Sequence, residues 1–205
     1  MTRRSGVAVR TSVVLVVALG VTLVAGCGGG SPLDNAPDIA NPAGVRGQSL
    51  SFAYFQACVQ PILVAPLAAP GAGGAPNTCA SSGCHDSVNG TGGALRLAGQ
   101  AAPVDLADAA STPEAVRATA MYRNFVSAQG MAIIGAPEQS LLLAKPRLAN
   151  VLHGGGLIFE RADDDNVRRI AYWIGHPMPQ GQDEFSTASN ALFTPADSRT
   201  GRCNP

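Results

Sequence analysis

The chain has 205 residues, with 14 basic and 14 acidic side chains that give a formal net charge of zero. This length suits one domain together with a targeting segment. The chain contains no run of basic residues and no basic stripe interleaved with aromatic residues, which argues against a nucleic-acid-binding protein.

Residues 1–26 predict an export signal. Arginines lie near the start, and an uncharged run rich in Val and Leu follows from Thr11 to Ala25. This layout is typical of a secretory signal peptide, and the run is too short and ends too abruptly for a membrane-spanning helix. Cleavage after Gly26 would remove three arginines and no acid, so the mature chain would be net negative.

The signal ends in Val24-Ala25-Gly26-Cys27, which resembles the bacterial lipobox. The resemblance implies cleavage before Cys27 and acylation of its thiol, and several acyl chains on one cysteine would anchor the protein stably. Gly28 rather than Asp follows Cys27, which by analogy with lipoprotein sorting implies the outer membrane of a Gram-negative cell. The domain would face the periplasm or the cell surface. A plain signal peptide and an uncleaved anchor remain as alternatives.

After Cys27, residues 28–48 are rich in Gly, Pro, Asn and Ala and show no apolar period, so they predict a flexible linker. The predicted folded domain therefore covers residues 49–205. Its first helix has Phe52, Phe55 and Val59 on one apolar face, with Ser49 or Ser51 as the N-cap.

Pro61 is expected to end or kink this first helix, because proline lacks the N–H that a helix interior requires. The Pro-, Gly- and Ala-rich residues 65–78 then predict a loop.

The loop leads into Cys79-Ala-Ser-Ser-Gly-Cys84-His85. Two cysteines followed at once by a histidine are typical of a c-type haem attachment site. Each thiol would bind a porphyrin vinyl group as a thioether, and His85 would coordinate the iron. Four residues separate the cysteines instead of the usual two, a spacing that also occurs in c-type cytochromes. A zinc cluster or a disulfide beside a histidine is the alternative.

Three further helices are predicted. Ser111-Thr-Pro-Glu has the hydroxyl cap, first-turn proline and acid of a helix start, and that helix is expected to run to Gln129-Gly130. Its predicted apolar face contains Ala115, Ala118, Tyr122 and Phe125. A short helix is predicted over 137–144, ending at Lys145-Pro146.

The last predicted helix opens at Asp163 and ends at Gly175 and Pro177. Its buried face is expected to contain Val167, Ile170, Ala171 and Ile174, with Trp173 on the flank. Residues 178–205 are expected to be polar and loop-like.

The order of these elements resembles a class I c-type cytochrome. The resemblance implies an all-α, class I cytochrome c-like fold, wrapped around one covalent haem and carrying extended loops. In that family the sixth iron ligand lies in the loop before the last helix, and His153 is the only strong ligand in that loop here. Met178, flanked by prolines, is the alternative sixth ligand. The alternative role for His153 is that of a loop imidazole that bonds to a neighbouring carbonyl.

A longer match covers about residues 50–176 and resembles cytochrome c-like domains of planctomycetes, myxobacteria and related proteobacteria. The matching segments, in order, are Tyr54-Phe55, Val59-Gln-Pro-Ile-Leu63, Gly83-Cys84-His85, Ser140-Leu-Leu-Leu-Ala-Lys-Pro146, His153-Gly-Gly-Gly156 and Tyr172-Trp-Ile174.

Two cysteines remain, Cys58 and Cys203, and an oxidising compartment favours a disulfide between them over two free thiols. The function expected from the haem motif is a membrane-anchored monohaem cytochrome that carries electrons between redox protein donors and acceptors, and not an enzyme. A haem peroxidase-like enzyme and a zinc- or ligand-binding lipoprotein module are the alternatives. The expected haem pocket contains Leu95, Leu97, Phe125, Leu141, Leu142, Leu152, Phe159, Tyr172 and Trp173.

Overall fold

The computed structural model describes residues 48–70 and 73–205. The predicted signal peptide, the lipidation site Cys27 and all but the last residue of the linker lie outside the described residues. Within the described part, no helix has both the length and the apolar character needed to cross a membrane.

The first helical stretch consists of α1 (Phe52–Tyr54), a π-helical segment (Phe55–Val59) and α2 (Gln60–Val64). The Ser51 side chain caps it by accepting the N–H of Tyr54. The expected ending at Pro61 is wrong, because the helix continues past it to Val64.

The π-helical segment explains how the proline is tolerated. The N–H of Gln60 bonds to the carbonyl of Phe55, five residues back, so the hydrogen-bond register changes just before Pro61. Pro61 thereby occupies the first turn of α2, where a backbone N–H is not required.

The single helix expected from residue 111 to 130 is divided into α3 (Pro113–Arg117) and α4 (Ala120–Gln129). Thr119 interrupts it as a new N-cap, accepting the N–H of Tyr122. The buried face differs from the predicted one as a result, because Ala115 and Ala118 are exposed. The buried residues are Val116, Met121, Asn124, Phe125 and Ala128.

A 3₁₀ helix (Pro137–Gln139) comes next and is followed by α5 (Leu141–Ala144). The last α-helix is α6 (Asp165–Gly175). The Asp164 carboxylate caps α6 by accepting two backbone N–H groups. Trp173, which was expected on the flank of this helix, is completely buried.

The C-terminal segment is more structured than the sequence predicted. It forms a 3₁₀ helix (Thr187–Leu192) and two short antiparallel strands, β1 (Phe193–Thr194) and β2 (Arg202–Cys203). It also buries Met178, Phe185, Leu192 and Phe193. Mostly polar residues lie between Met178, Phe185 and the adjacent pair Leu192-Phe193, so the sequence shows no helical or strand period in this segment.

A disulfide joins Cys58 to Cys203, with the two Cα atoms 5.9 Å apart. It fixes β2 against the π-helical segment. The core beside it is aromatic: the Phe55 and Trp173 rings lie 5.4 Å apart, and Phe52 meets Phe125 edge-on at 5.6 Å. The indole N–H of Trp173 donates to the carbonyl of Ser51 at 2.9 Å, so the polar atom of this buried side chain is satisfied.

Candidate functional site

The segment from Cys79 to His85 folds into consecutive turns. The N–H of Cys84 donates to the Ser81 carbonyl at 2.9 Å, and the N–H of His85 donates to the Cys79 carbonyl, also at 2.9 Å. The second bond closes the segment into a ring, so the four residues between the cysteines form a compact loop. Cys79, Cys84 and His85 therefore lie on one wall of a cavity.

His85 is held from two sides. The Nδ1 of His85 lies 3.3 Å from the carbonyl oxygen of Leu95, and the Leu97 N–H donates to the backbone carbonyl of His85 at 2.7 Å. Gly92 packs directly against the ring: a Cβ at this position would lie 2.6 Å from His85 Cε1 and Nδ1. Burial lowers the pKa of His85, which favours the neutral imidazole that a metal ion binds.

His153 lies in a tight turn of the loop between α5 and α6. The Gly156 N–H donates to the His153 carbonyl at 2.9 Å, and Gly156 has a φ of 77°, a conformation that glycine adopts without strain. The Nδ1 of His153 lies 2.9 Å from the Gly156 carbonyl oxygen. Residues of the turn therefore orient the ring.

The two imidazoles have the same hydrogen-bonding pattern. A carbonyl oxygen can only accept, so each Nδ1 carries a proton; in a neutral imidazole this leaves the lone pair on Nε2. Neither Nε2 bonds to the residues that the structure describes. Histidines that bind metal ions ordinarily donate their other N–H to a carbonyl or carboxylate in this way.

The spacing of the rings agrees with this pattern. The ring centroids of His85 and His153 are 6.3 Å apart, and the ring planes are within 9° of parallel. Two imidazoles that bind one metal ion from opposite sides have centroids about 6 Å apart, since each bond is about 2 Å long and each centroid lies about 1 Å behind its nitrogen. The centroid distance thus matches the value expected for two imidazoles that bind one metal ion.

The space between and beside the two rings is a cavity of about 530 Å³. Its wall includes both thiols and both imidazoles, together with Leu67, Ala69, Asn77, Thr78, Gly83, Thr91, Gly92, Gly93, Lys145, Leu152, Gly154, Gly155 and Ile158. A second, more apolar space of about 160 Å³ shares six wall residues with it: Cys79, His85, Gly92, Lys145, His153 and Ile158. The volume and the mostly apolar wall are those of a site for a cofactor-sized molecule.

Cys79 and Cys84 are both reduced. Burial raises the pKa of the Cys79 thiol to about 11, so this side chain is a neutral thiol at neutral pH. Among the described residues, no three His, Cys, Asp or Glu side chains are close enough together to hold a metal ion. A zinc site made of Cys79, Cys84, His85 and His153 would therefore require these side chains to move closer.

The other predicted ligand lies elsewhere. Met178 is 1% exposed and belongs to the core, where its N–H donates to the Ser49 carbonyl; it is not in the wall of either cavity. His176 is exposed and stacks on Tyr172, with ring centroids 3.8 Å apart.

The predicted pocket residues divide into two groups. Those in the cavity walls are Leu95, Leu141, Leu142, Leu152 and Phe159. Those that pack away from the cavities are Leu97, Phe125, Tyr172 and Trp173. Sequence reasoning missed Lys145 and Ile158 as wall residues, because Lys145 was interpreted only as part of a helix stop. It also missed Gly92, although the Gly92-Gly93 pair so soon after the motif was a signal of close packing.

Comparison with protein-family models, with curated proteins and with solved structures finds no match to this chain.

Proposed function

We propose that this protein is a membrane-anchored monohaem c-type cytochrome that transfers electrons in the cell envelope. The observation that carries the proposal is the pair of parallel imidazoles of His85 and His153, whose ring centroids are 6.3 Å apart. The Nδ1–H of each ring donates to a backbone carbonyl. The two reduced cysteines in the wall of the same cavity support it.

In this proposal the residues have separate tasks. Cys79 and Cys84 would hold the porphyrin through thioether bonds, and His85 and His153 would bind the iron. The haem supplies one-electron chemistry, and the protein supplies binding, orientation and electrostatics. Because two histidines would hold the iron, the site would favour electron transfer over reactions of oxygen or peroxide.

Lys145 is the only Lys, Arg, Asp or Glu among the described residues that line the two cavities. It would face the acidic groups of a bound porphyrin, whose negative charges would otherwise lie beside apolar walls. The Leu, Ile and Phe side chains of the smaller cavity would keep water away from the ring. This environment limits solvent reorganisation when the charge of the cofactor changes.

Delivery to the membrane belongs to the same proposal. Acylated Cys27 and the linker 28–48 would tether the domain, and its partners would be redox proteins that donate or accept electrons. Such encounters are brief and use small surfaces.

The central experiment expresses the full chain together with a cytochrome maturation system. We expect a reduced-minus-oxidised haem spectrum and a mass increase of one haem. The Cys79→Ala/Cys84→Ala variant should lose the covalent adduct, whereas Cys58→Ala/Cys203→Ala, which also removes two cysteines, should keep it. A colourless wild-type protein without a mass adduct would contradict the proposal, and bound zinc in that protein would favour the binding module.

The sixth ligand is tested by a matched pair of variants. His153→Met should raise the midpoint potential, because a thioether stabilises ferric iron less than an imidazole does. Met178→Leu should leave the spectrum and the potential unchanged. The opposite result would assign the ligand to Met178, and a high-spin band in the wild type would point to a peroxidase-like enzyme.

A further inference from the structure

A second concave site lies at the C-terminal strands. It is a groove of about 540 Å³, lined by Ala57, Arg169, Thr194, Ser198, Arg199, Gly201, Arg202, Cys203 and Asn204. It shares no residue with the two cavities beside the histidines. On α6, Arg169 lines the groove while its neighbour Ile170 lines the apolar cavity, so the two sites lie on different sides of this helix.

The groove concentrates positive charge. Arg169, Arg199 and Arg202 all line it, and no carboxylate does. None of these three guanidinium groups forms a salt bridge with the described residues, although four other arginines do. This clustering is unusual in a chain with equal numbers of acids and bases, since mutually repelling charges are ordinarily neutralised by nearby acids.

Asp197, in the same loop as Arg199, already accepts hydrogen bonds from its neighbours. The Asp197 carboxylate accepts the N–H of Arg199 and the hydroxyl of Thr200, both at 2.8 Å. These hydrogen bonds lower the pKa of Asp197. The carboxylate thus supports the loop that carries Arg199 and is not part of the groove wall.

The disulfide fixes the strand of the groove that carries Arg202. Arg202 belongs to β2, next to Cys203, whose disulfide ties this strand to the π-helical segment. Gly201 turns the loop: a Cβ here would lie 2.6 Å from the Asp197 carbonyl oxygen and from Phe193 Cβ. The side chains of Thr194, Ser198 and Asn204 add hydroxyl and amide groups to the wall.

We propose that this groove binds a phosphate group, either from an inorganic or small organic phosphate or from the headgroup of an anionic lipid. A phosphate carries more than one negative charge near neutral pH and has several acceptor oxygens. The planar guanidinium fork donates two parallel hydrogen bonds to such a group. Three guanidiniums in a groove wall that contains no carboxylate suit a phosphate better than a single carboxylate ligand, which would neutralise only one of them.

The test uses the full-length protein in neutral detergent micelles at constant ionic strength, titrated with inorganic pyrophosphate by calorimetry. We expect Arg199→Gln/Arg202→Gln to weaken binding at least about tenfold. The control Arg123→Gln/Arg161→Gln removes the same charge from exposed positions outside the groove and should change the affinity less than about twofold. Both variants should keep the wild-type unfolding temperature.

Competition identifies the source of the phosphate. If inorganic phosphate displaces pyrophosphate, the groove takes a free phosphate; if only micelles doped with phosphatidylglycerol compete, and those doped with phosphatidylcholine do not, it takes a lipid headgroup. Absence of pyrophosphate binding up to about 10 mM would overturn the proposal. Equal weakening in the groove variant and the control would also overturn it, because the effect would then come from net charge alone.

Discussion

Two regions of this molecule are held together in different ways. The core around Phe55 and Trp173 is made of aromatic rings in direct contact and is closed by the Cys58–Cys203 disulfide. The region around His85 and His153 consists of turns joined by backbone hydrogen bonds, and its rings face a cavity. The first region buries its own apolar surface, whereas the second leaves a space that only another molecule can fill.

The contrast indicates that stability and ligand binding are separated in the chain. Changes in the aromatic and disulfide region should alter the free energy of unfolding and leave binding of the proposed haem unchanged. Changes in the cavity region should alter binding of the proposed haem and have smaller effects on the stability of the protein without haem.

The largest expected effect comes from the disulfide. Its loop spans 145 positions, so Cys58→Ala/Cys203→Ala should lower the free energy of unfolding by about 4–5 kcal/mol in the chain-entropy description. Urea denaturation of protein made without haem measures this change. In the same material Cys79→Ala/Cys84→Ala, which alters the cavity wall, should cost far less. Equal losses in the two variants would remove the distinction between the regions.

The next effect concerns the carboxylate that ties the C-terminal segment to the middle helices. Glu184 is buried and accepts hydrogen bonds from Arg117 at 3.0 Å and from the Tyr122 hydroxyl at 2.7 Å. Glu184→Gln should lower the free energy of unfolding by about 2 kcal/mol, since hydrogen bonds to charged groups contribute about 1.5–3 kcal/mol to stability.

The control for that variant is Glu138→Gln, because the Glu138 side chain is 70% exposed while it pairs with Arg147. Glu138→Gln should lower the free energy of unfolding by less than about 1 kcal/mol, because exposed ion pairs contribute little to stability. The haem spectrum should be unchanged in both variants. A spectral change in Glu184→Gln would show that the two regions are coupled.

Gly92→Ala probes the cavity region. The new methyl group would press on the His85 ring and on the Cys84 carbonyl, so overpacking should cost about 1–3 kcal/mol and displace the imidazole. We expect a lower yield of haem-loaded protein and an altered spectrum. Gly99→Ala is the matched control, because its Cβ would make only an ordinary contact of 3.5 Å with Ala80. Normal haem loading in Gly92→Ala would show that the ring position tolerates movement.

Lys145→Gln should have the smallest effect. Removing a positive charge from the cavity wall stabilises the ferric state, so the midpoint potential should fall. We expect the Lys145 charge to change the free-energy difference between the ferric and ferrous states by about 1 kcal/mol, which corresponds to roughly 40 mV for one electron. Redox titration of the variant measures the shift, and Arg147→Gln, two residues along the chain and outside the cavity walls, serves as control. A rise in potential would contradict the proposed place of Lys145.

Several features could be predicted from local sequence because their causes are local. The cap at Ser51 depends on a side chain three residues from its partner, and the start of α6 depends on acids in its first turn. The pairing of Cys58 with Cys203 followed from counting cysteines. The candidate site was also local in part, since Cys79, Cys84 and His85 are contiguous in the chain.

Other features depended on the tertiary structure, because they result from contacts between distant segments. The π-helical turn lets the first helix continue past Pro61, and the break at Thr119 moves the buried face of the middle helices. Phe185, Leu192 and Phe193 are buried only because the disulfide and the aromatic core bring their segment inward. The meeting of His85 with His153, 68 positions apart, and the gathering of three arginines into one groove likewise require the folded chain. A period or a motif records neighbours along the sequence, whereas these sites are made by neighbours in space.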